Sequence, residues 1–291
     1  MSDSAATLQA VIAQLMIYPV KSCAPMLVRQ ALLTDQGLDL DRTWMVVDER
    51  GQCISQREQP RLALVQPQLR QADIVLRAPG MLALHLGLES VESPAKVELW
   101  DEPIDAWDMG AVAAQWFSDF LGRPARLVRF DPQVERPSER RWTGGHTVLN
   151  TFTDGFPLLL LAQPSLDALN ARLQAGGRPA VDMLRFRPNL VLASEGAQAW
   201  TAHEEDRLSL LEIDTPDGLV SLRPVKPCSR CSMVDVDPAT GQTDPGVLST
   251  LQTYRRNPRL DGAVTFGMNL MVVEGFDRSL SVGQRVRAHL G

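Results

Sequence analysis

The sequence predicts an α+β protein dominated by strands, with a mixed or antiparallel β-barrel and few helices. Three observations point there. Short runs rich in Val, Ile and Leu recur at intervals of about 8–12 residues, each bounded by Gly, Pro or Asp turn signals. Convincing helix patterns are confined to residues 110–121 and 164–176, where apolar spacing is joined to start and stop signals. Neither a regular βαβ alternation nor an internal repeat at a fixed period is present.

In chain order, Leu8 to Val20 is apolar and β-branched, and Pro19, which cannot donate to a ladder, marks its end. Val28 to Thr34 reads as the next strand, Asp35-Gln36-Gly37 as a turn, and Arg42 to Asp48 as a third strand. Short alternating runs follow at Leu62 to Val65, Asp73 to Leu76 and Leu82 to Leu86, and Val97 to Trp107 looks like a hairpin. Val112, Trp116 and Phe120 give the first helix its stripe, with Asp108 before it and Gly122 after it. A soft domain boundary is expected near Gly122 to Phe130. Beyond strand Arg126 to Phe130, the polar segment Asp131 to His146 is longer than a plain connection requires, which suggests a functional loop. Leu166, Leu169 and Leu173 lie on one face of the second helix, which Gly176-Gly177 ends. Strands are then expected at Leu190 to Ala193, Arg207 to Glu212, Gly218 to Pro224, Thr265 to Val273 and Arg285 to Ala288.

Composition narrows the function classes. The chain has 291 residues, 44% hydrophobic and 22% charged, enough for a large core in one unit or two joined ones. A net charge of −6 and the lack of a basic stripe interleaved with aromatics argue against nucleic acid as partner. No run approaches the roughly 20 apolar residues of a membrane helix, so no membrane partner is expected. The first residues carry no basic group of the kind a secretory leader needs, and four cysteines are few for a disulfide scaffold of this length. A reducing compartment, the cytoplasm, is the expectation.

The chemistry concentrates in Pro224 to Gly241. Cys228 and Cys231 stand two residues apart, with Lys226 before the first and Arg230 before the second. Cationic neighbours favour the thiolate, the form that ligates metals or attacks electrophiles. A structural zinc site would need further ligands, and His85, His146, His203 and His289 are scattered. A thioredoxin-like pair would need a following helix, whereas Val234 onward is rich in Asp and Pro. Asp235 and Asp237 resemble a carboxylate pair, but Asp237-Pro238-Ala239-Thr240-Gly241 reads better as a turn. A second constellation, Lys21-Ser22, Arg42, Arg57 and Arg187, sits at the ends of predicted strands, and arginine's fork suits phosphate. No phosphate-binding glycine loop, nucleophile elbow or His-Glu-x-x-His motif stands out.

Several ordered motifs resemble the MOSC proteins of the type with an N-terminal MOSC β-barrel domain. They are Tyr18-Pro19-Val20-Lys21-Ser22-Cys23, Asp41-Arg42-x-Trp44, Gln56-Arg57-Glu58, Phe186-Arg187-Pro188-Asn189, Pro227-Cys228-Ser229-Arg230-Cys231, Val236-Asp237-Pro238 and Phe266-Gly267. The resemblance implies a β-rich N-terminal domain over residues 8–125 and a molybdenum-cofactor-binding MOSC domain over 126–291. It implies Cys231 as catalytic residue and protein ligand to molybdenum. It further implies cofactor contacts at Lys21, Ser22, Arg42, Arg57, Gly155, Phe156, Arg187, Asn189, Ser229, Arg230 and Asn269. The implied activity is two-electron reduction of N-hydroxylated substrates, with electrons from a separate ferredoxin- or reductase-type donor, since no four-cysteine cluster motif is present. Two other readings remain open: a sulfur or cofactor carrier using a cysteine persulfide, and a non-catalytic protein with a structural zinc site.

Overall fold

The computed structural model describes residues 7–195 and 200–291. Its centre is a closed seven-strand barrel. Around it run Leu158–Ala162, Leu190–Ser194, Thr7–Ile17, Arg285–Leu290, Leu208–Thr215, Gly218–Ser229 and Ala263–Glu274, the last pairing back to the first. Every junction is antiparallel except Leu158–Ala162 with Leu190–Ser194. Those two strands are joined through helix Gln163–Ala175, the crossover that a parallel pair requires.

The first strand shows how the sequence builds both the core and the site. Leu8, Ala10 and Ile12 point into the barrel in strict alternation, and a bulge between Ile12 and Gln14 then shifts the register. Beyond it Leu15 and Ile17 still face the barrel interior, while Met16 and Tyr18 are buried outside it, against helix Gln163–Ala175 and Phe186. The chain thus leaves the barrel with both faces covered. Across the barrel, strand Ala263–Glu274 needs Gly267 where it pairs with Leu158–Ala162, because a Cβ there would lie 2.6 Å from the Leu160 carbonyl and its φ is +82°.

A second sheet, in the order Trp44–Val47, Arg126–Phe130, Glu102–Asp108, Ser93–Leu99, packs with helix Ala111–Leu121 beside the barrel. Three local departures from the sequence-based expectations have simple causes. Val28 to Thr34 divides at Arg29, because Met26–Val28 pairs with the first strand while Gln30–Thr34 pairs with Ser279–Ser281. Leu62 to Val65 is not a strand. Pro60 opens a 3-10 turn, Pro60–Leu64, that buries Leu62 and Ala63. Val112 is 71% exposed; the buried face of its helix is Ala113, Trp116, Phe117, Phe120 and Leu121, which follows the i, i+3, i+4, i+7, i+8 rule.

Strand Gly218–Ser229 runs past Pro224, where the sequence pattern stops, and carries the chain to Cys228. Its register shifts between Pro224 and Lys226 and again between Pro227 and Ser229, so each proline occupies an irregularity where the ladder needs no donor.

A polar pocket is buried between helix Gln163–Ala175 and the turn Glu204–Arg207. The Ser165 hydroxyl donates to Glu205 Oε2 at 2.7 Å and accepts from the His203 backbone N–H at 2.8 Å. Burial pushes the Glu205 carboxyl up to about 7 against the opposing Ser165 hydrogen bond, and burial with Arg255 and Arg172 pulls His203 down to about 4. For Glu205, the folded state holds its proton where an unfolded carboxyl near 4.5 has lost it. That stabilisation is complete below about pH 4.5 and lost as pH rises through about 7. His203 acts in the opposite sense between about 4 and 6.5, equally in wild type and variant. Glu205→Gln, neutral at every pH, is expected to match wild type near pH 4.5 and exceed it by roughly 2–3 kcal/mol at pH 8. Urea unfolding at both pH values reads this out; a difference that does not change with pH refutes the buried titration.

Candidate functional site

One cleft collects residues from many distant parts of the chain. The segment after the first strand supplies Lys21 and Ser22, and the turn before Trp44–Val47 supplies Arg42. The loop Thr153 to Phe156 and the segment Arg185 to Asn189 form further walls. Cys228, Ser229, Arg230 and Cys231, at the end of strand Gly218–Ser229, complete it with Asn269. Among the residues expected there from the sequence, all but Arg57 line this cleft. Arg57 is exposed and lies on the Trp100 ring, 4.1 Å from its centroid, and Trp100 lines the cleft in its place.

The cations are held by named partners. Lys21, 7% exposed, donates to the Phe152 carbonyl at 2.7 Å and to Asp154 Oδ1 at 2.5 Å. Arg42 pairs with Asp41 and donates to the Arg187 carbonyl at 3.0 Å. The guanidinium carbons of Arg42 and Arg187 each lie 4.2 Å from the centroid of the buried Tyr18 ring. Ser22, Arg42 and Arg187 all have positive φ (65°, 50° and 58°), a strain that functional sites retain when surrounding contacts enforce it. Arg230 is turned inward: its guanidinium donates to the Phe266 carbonyl and, at 2.8 Å, to the Phe186 carbonyl. Asn189, 1% exposed, spends its amide on Met16, Asp41 and the Leu159 N–H, so it orders the wall and offers the cleft little. Asn269 likewise donates to the Lys226 carbonyl at 3.1 Å.

Arg187 is the exception among the cations. Its Nη1 donates to the Cys23 carbonyl at 2.7 Å, but Nη2 is buried with no partner. Burial and the neighbouring Arg42 lower Arg187 to about 10, which leaves it charged at neutral pH. A buried, charged donor without an acceptor is costly. An anion in the cleft would satisfy it.

The two cysteines differ. Cys231 is exposed at the start of the Ser232–Asp235 turn, whereas Cys228 is half-buried. Burial raises the Cys228 thiol and outweighs the lowering by Arg230 and Lys226, so the cationic activation expected from the sequence does not reach this sulfur. Among the described residues no group of three or more His, Cys, Asp or Glu side chains is gathered that could hold a metal, so the ligand set of a structural zinc is lacking. The turn at Asp237 is real: Oδ1 accepts from the Ala239 and Thr240 N–H groups. Arg185 bridges the Asp235 carbonyl and Asp237 Oδ2, which fixes the loop following Cys231.

Asp154 and Trp100 are cleft residues that the sequence did not reveal. The Trp100 indole N–H donates to Asp154 Oδ1 at 3.0 Å. Desolvation raises the Asp154 carboxyl, but Lys21, this N–H and Arg42 outweigh it and hold it well below the usual carboxylate range. Asp154 adjoins Gly155, so a wider reading of that loop would have found it. Trp100 sits at a hairpin tip with φ 56° and gives no local signal.

Two family profiles match the sequence: the MOSC N-terminal beta barrel domain over residues 9–124 and the MOSC domain over 148–287. The chain belongs to the MOSC family. Rat mitochondrial amidoxime reducing component 2 is 36% identical over 84% of this chain and 72% of its own length. Human mitochondrial amidoxime-reducing component 1 is 33% identical over 84% of this chain and 72% of its own. Human molybdenum cofactor sulfurase is 30% identical over 95% of this chain, but the match covers only 32% of the sulfurase. The chain thus spans about a third of the sulfurase relatives' length. No helix among the described residues is long and apolar enough to cross a membrane.

Proposed function

We propose that this MOSC protein is a molybdenum-cofactor-dependent oxidoreductase that reduces N-hydroxylated compounds in the cytoplasm. The observation that carries the reading is the pairing of an exposed thiol, Cys231, with a cleft wall whose buried Arg187 Nη2 lacks an acceptor. The donor set fits a metal–pterin group. A soft thiolate suits molybdenum, and guanidinium forks suit a phosphate. Cys231 would be the protein ligand, as the match of its motif to the family implies. Lys21, Ser22, Arg42, Arg187, Ser229 and Arg230 would hold the pterin and its phosphate, with Gly155, Phe156, Asn189 and Asn269 shaping the walls and Arg57 acting only through Trp100. In this division residues 126–291 supply the ligand and most of the walls, and residues 8–125 supply Lys21, Ser22, Arg42 and Trp100.

When bound, the cofactor would supply the two-electron chemistry that converts R–NH–OH, two electrons and two protons into R–NH2 and water. The protein's own residues position and exclude. Tyr18, held between two guanidinium groups and buried, stays protonated and rigid, since burial raises its hydroxyl. Asp154 is ionised at neutral pH and therefore orients Lys21 and Trp100; it cannot donate the proton that the departing oxygen needs.

The test is production in a host that makes the cofactor, followed by molybdenum analysis, pterin fluorescence and reduction of an N-hydroxylated amidine with a chemical reductant. Protein that binds neither molybdenum nor pterin disproves the reading. Arg187→Ala is expected to lower the pterin retained through purification about tenfold or more, the size of losing one charge-assisted anion contact. Unchanged pterin content would remove Arg187 from the site. The sulfurase match over 95% of this chain favours one second reading, a sulfur carrier on Cys231. Mass spectrometry that finds a persulfide on metal-free protein would favour it.

A further inference from the structure

We infer that the loop from Asp131 to His146 forms the docking surface for a small acidic electron-transfer protein, an inference that rests on the reductase reading. Three cations converge on one indole there. Lys226 Nζ lies 5.5 Å from the Trp142 ring centroid, and the guanidinium carbons of Arg259 and Arg141 lie 5.5 and 5.6 Å from it. They come from separate segments: barrel strand Gly218–Ser229, the turn Pro258–Leu260 and the one-turn helix Arg140–Thr143. Among the described residues Glu139 is the only carboxylate within 4.0 Å of any of the three, and Arg259 has none. Glu139 offsets part of this charge, and the patch stays net positive on a protein of net charge −6, which favours an anionic partner.

The surface is held in shape. Arg136, 6% exposed, ties the loop's root through the Thr151 and Thr153 carbonyls at 2.9 and 2.7 Å and through Glu102 at 2.8 Å. The Ser138 N–H donates to the Val148 carbonyl at 2.7 Å. The cations are therefore presented by an anchored platform, which lowers the ordering cost of docking. Its position suits electron delivery. Trp142 packs against the cluster containing Phe156, a cleft residue, and Lys226 stands 6.0 Å from the Phe156 ring and two residues before Cys228. A partner seated on Trp142 is separated from the cleft by one layer of side chains.

The partner's chemistry follows from the charge and the reaction. The surface selects an acidic protein, and each turnover consumes two electrons that a separate donor must replenish. A small acidic [2Fe–2S] ferredoxin, oxidised by one electron per docking event, meets both demands in two visits, while water supplies the two protons.

The experiment compares wild type with Arg141→Glu/Arg259→Glu, using the cofactor-loaded protein. Turnover is measured with an acidic plant-type ferredoxin and, separately, with reduced methyl viologen. The expected result is a KM for ferredoxin raised about tenfold or more, with the steep salt dependence of wild type flattened between about 50 and 300 mM salt. The viologen-supported rate should not change. Equal loss with both donors, an unchanged ferredoxin KM, or no use of ferredoxin by wild type overturns the proposal. If wild type reduces nothing even with viologen, the reductase reading itself fails. Calorimetric binding of ferredoxin at low salt then decides the docking surface, which stands only if wild type binds and the variant does not. Loss of binding to anionic lipid vesicles without loss of ferredoxin binding counts against it.

Discussion

Cys231→Ser is expected to lower reduction of an N-hydroxylated substrate by at least about three orders of magnitude, the size of effect seen when a group at the reacting centre is removed. That is about 4 kcal/mol of lost transition-state stabilisation. The fold should be untouched, because the Cys231 side chain is exposed and its sulfur has no hydrogen-bond partner among the described residues. Serine is close in size, but it offers a hard, neutral hydroxyl in place of a soft thiolate. The informative control is Cys228→Ser. Burial keeps the Cys228 thiol protonated, so its replacement should leave metal and pterin content intact and cost activity only modestly. Molybdenum per chain, pterin per chain and kcat measured on all three proteins separate loss of the cofactor from loss of its chemistry. Equal behaviour of the two variants would mean that the sulfurs are not distinguished as the exposure difference requires.

Asp41→Ala is expected to be the most damaging change for stability, at about 3–5 kcal/mol, the cost of breaking a buried charged pair from one side. Asp41 is 1% exposed and joins four segments. Its carboxylate accepts from the Tyr18 N–H at 2.7 Å, from Asn189 Nδ2 at 3.0 Å and from Arg42, and its carbonyl accepts from the Thr151 hydroxyl at 2.8 Å. Removing the carboxylate strands the Tyr18 N–H and one N–H of Asn189 Nδ2, and takes from Arg42 its ion-pair partner. The midpoint of thermal unfolding should fall by of order 10 °C. Asp41→Asn keeps one acceptor and should lose less. A shift under about 2 °C for the alanine variant would show that the network is not stabilising.

Residue order carries the strand-dominated class, the family and the outstanding motif. Alternation of apolar residues and the spacing of turn residues are local properties, and a barrel strand such as Thr7–Ile17 is written in them. Motif residues such as Arg187 and Cys231 are recognisable because their chemistry is carried by residue type and order. The sequence could not place the bulge after Ile12, the passage of Gly218–Ser229 through two prolines, or the buried face of helix Ala111–Leu121. Each is settled by pairing and packing against segments remote in the chain. The same holds for the cleft. Lys226 and Arg230 lie beside Cys228 in sequence and suggest an activated thiol, but desolvation exceeds their attraction once the strand closes. Asp154 meets Lys21 across 133 residues, and Asn189 meets Asp41 across 148. Which cleft cations spend their donors on carbonyls, and that Arg187 Nη2 is left without a partner, follows from the packing of remote segments. Hydrogen-bond satisfaction depends on what burial brings within about 3 Å, and no residue order encodes that distance.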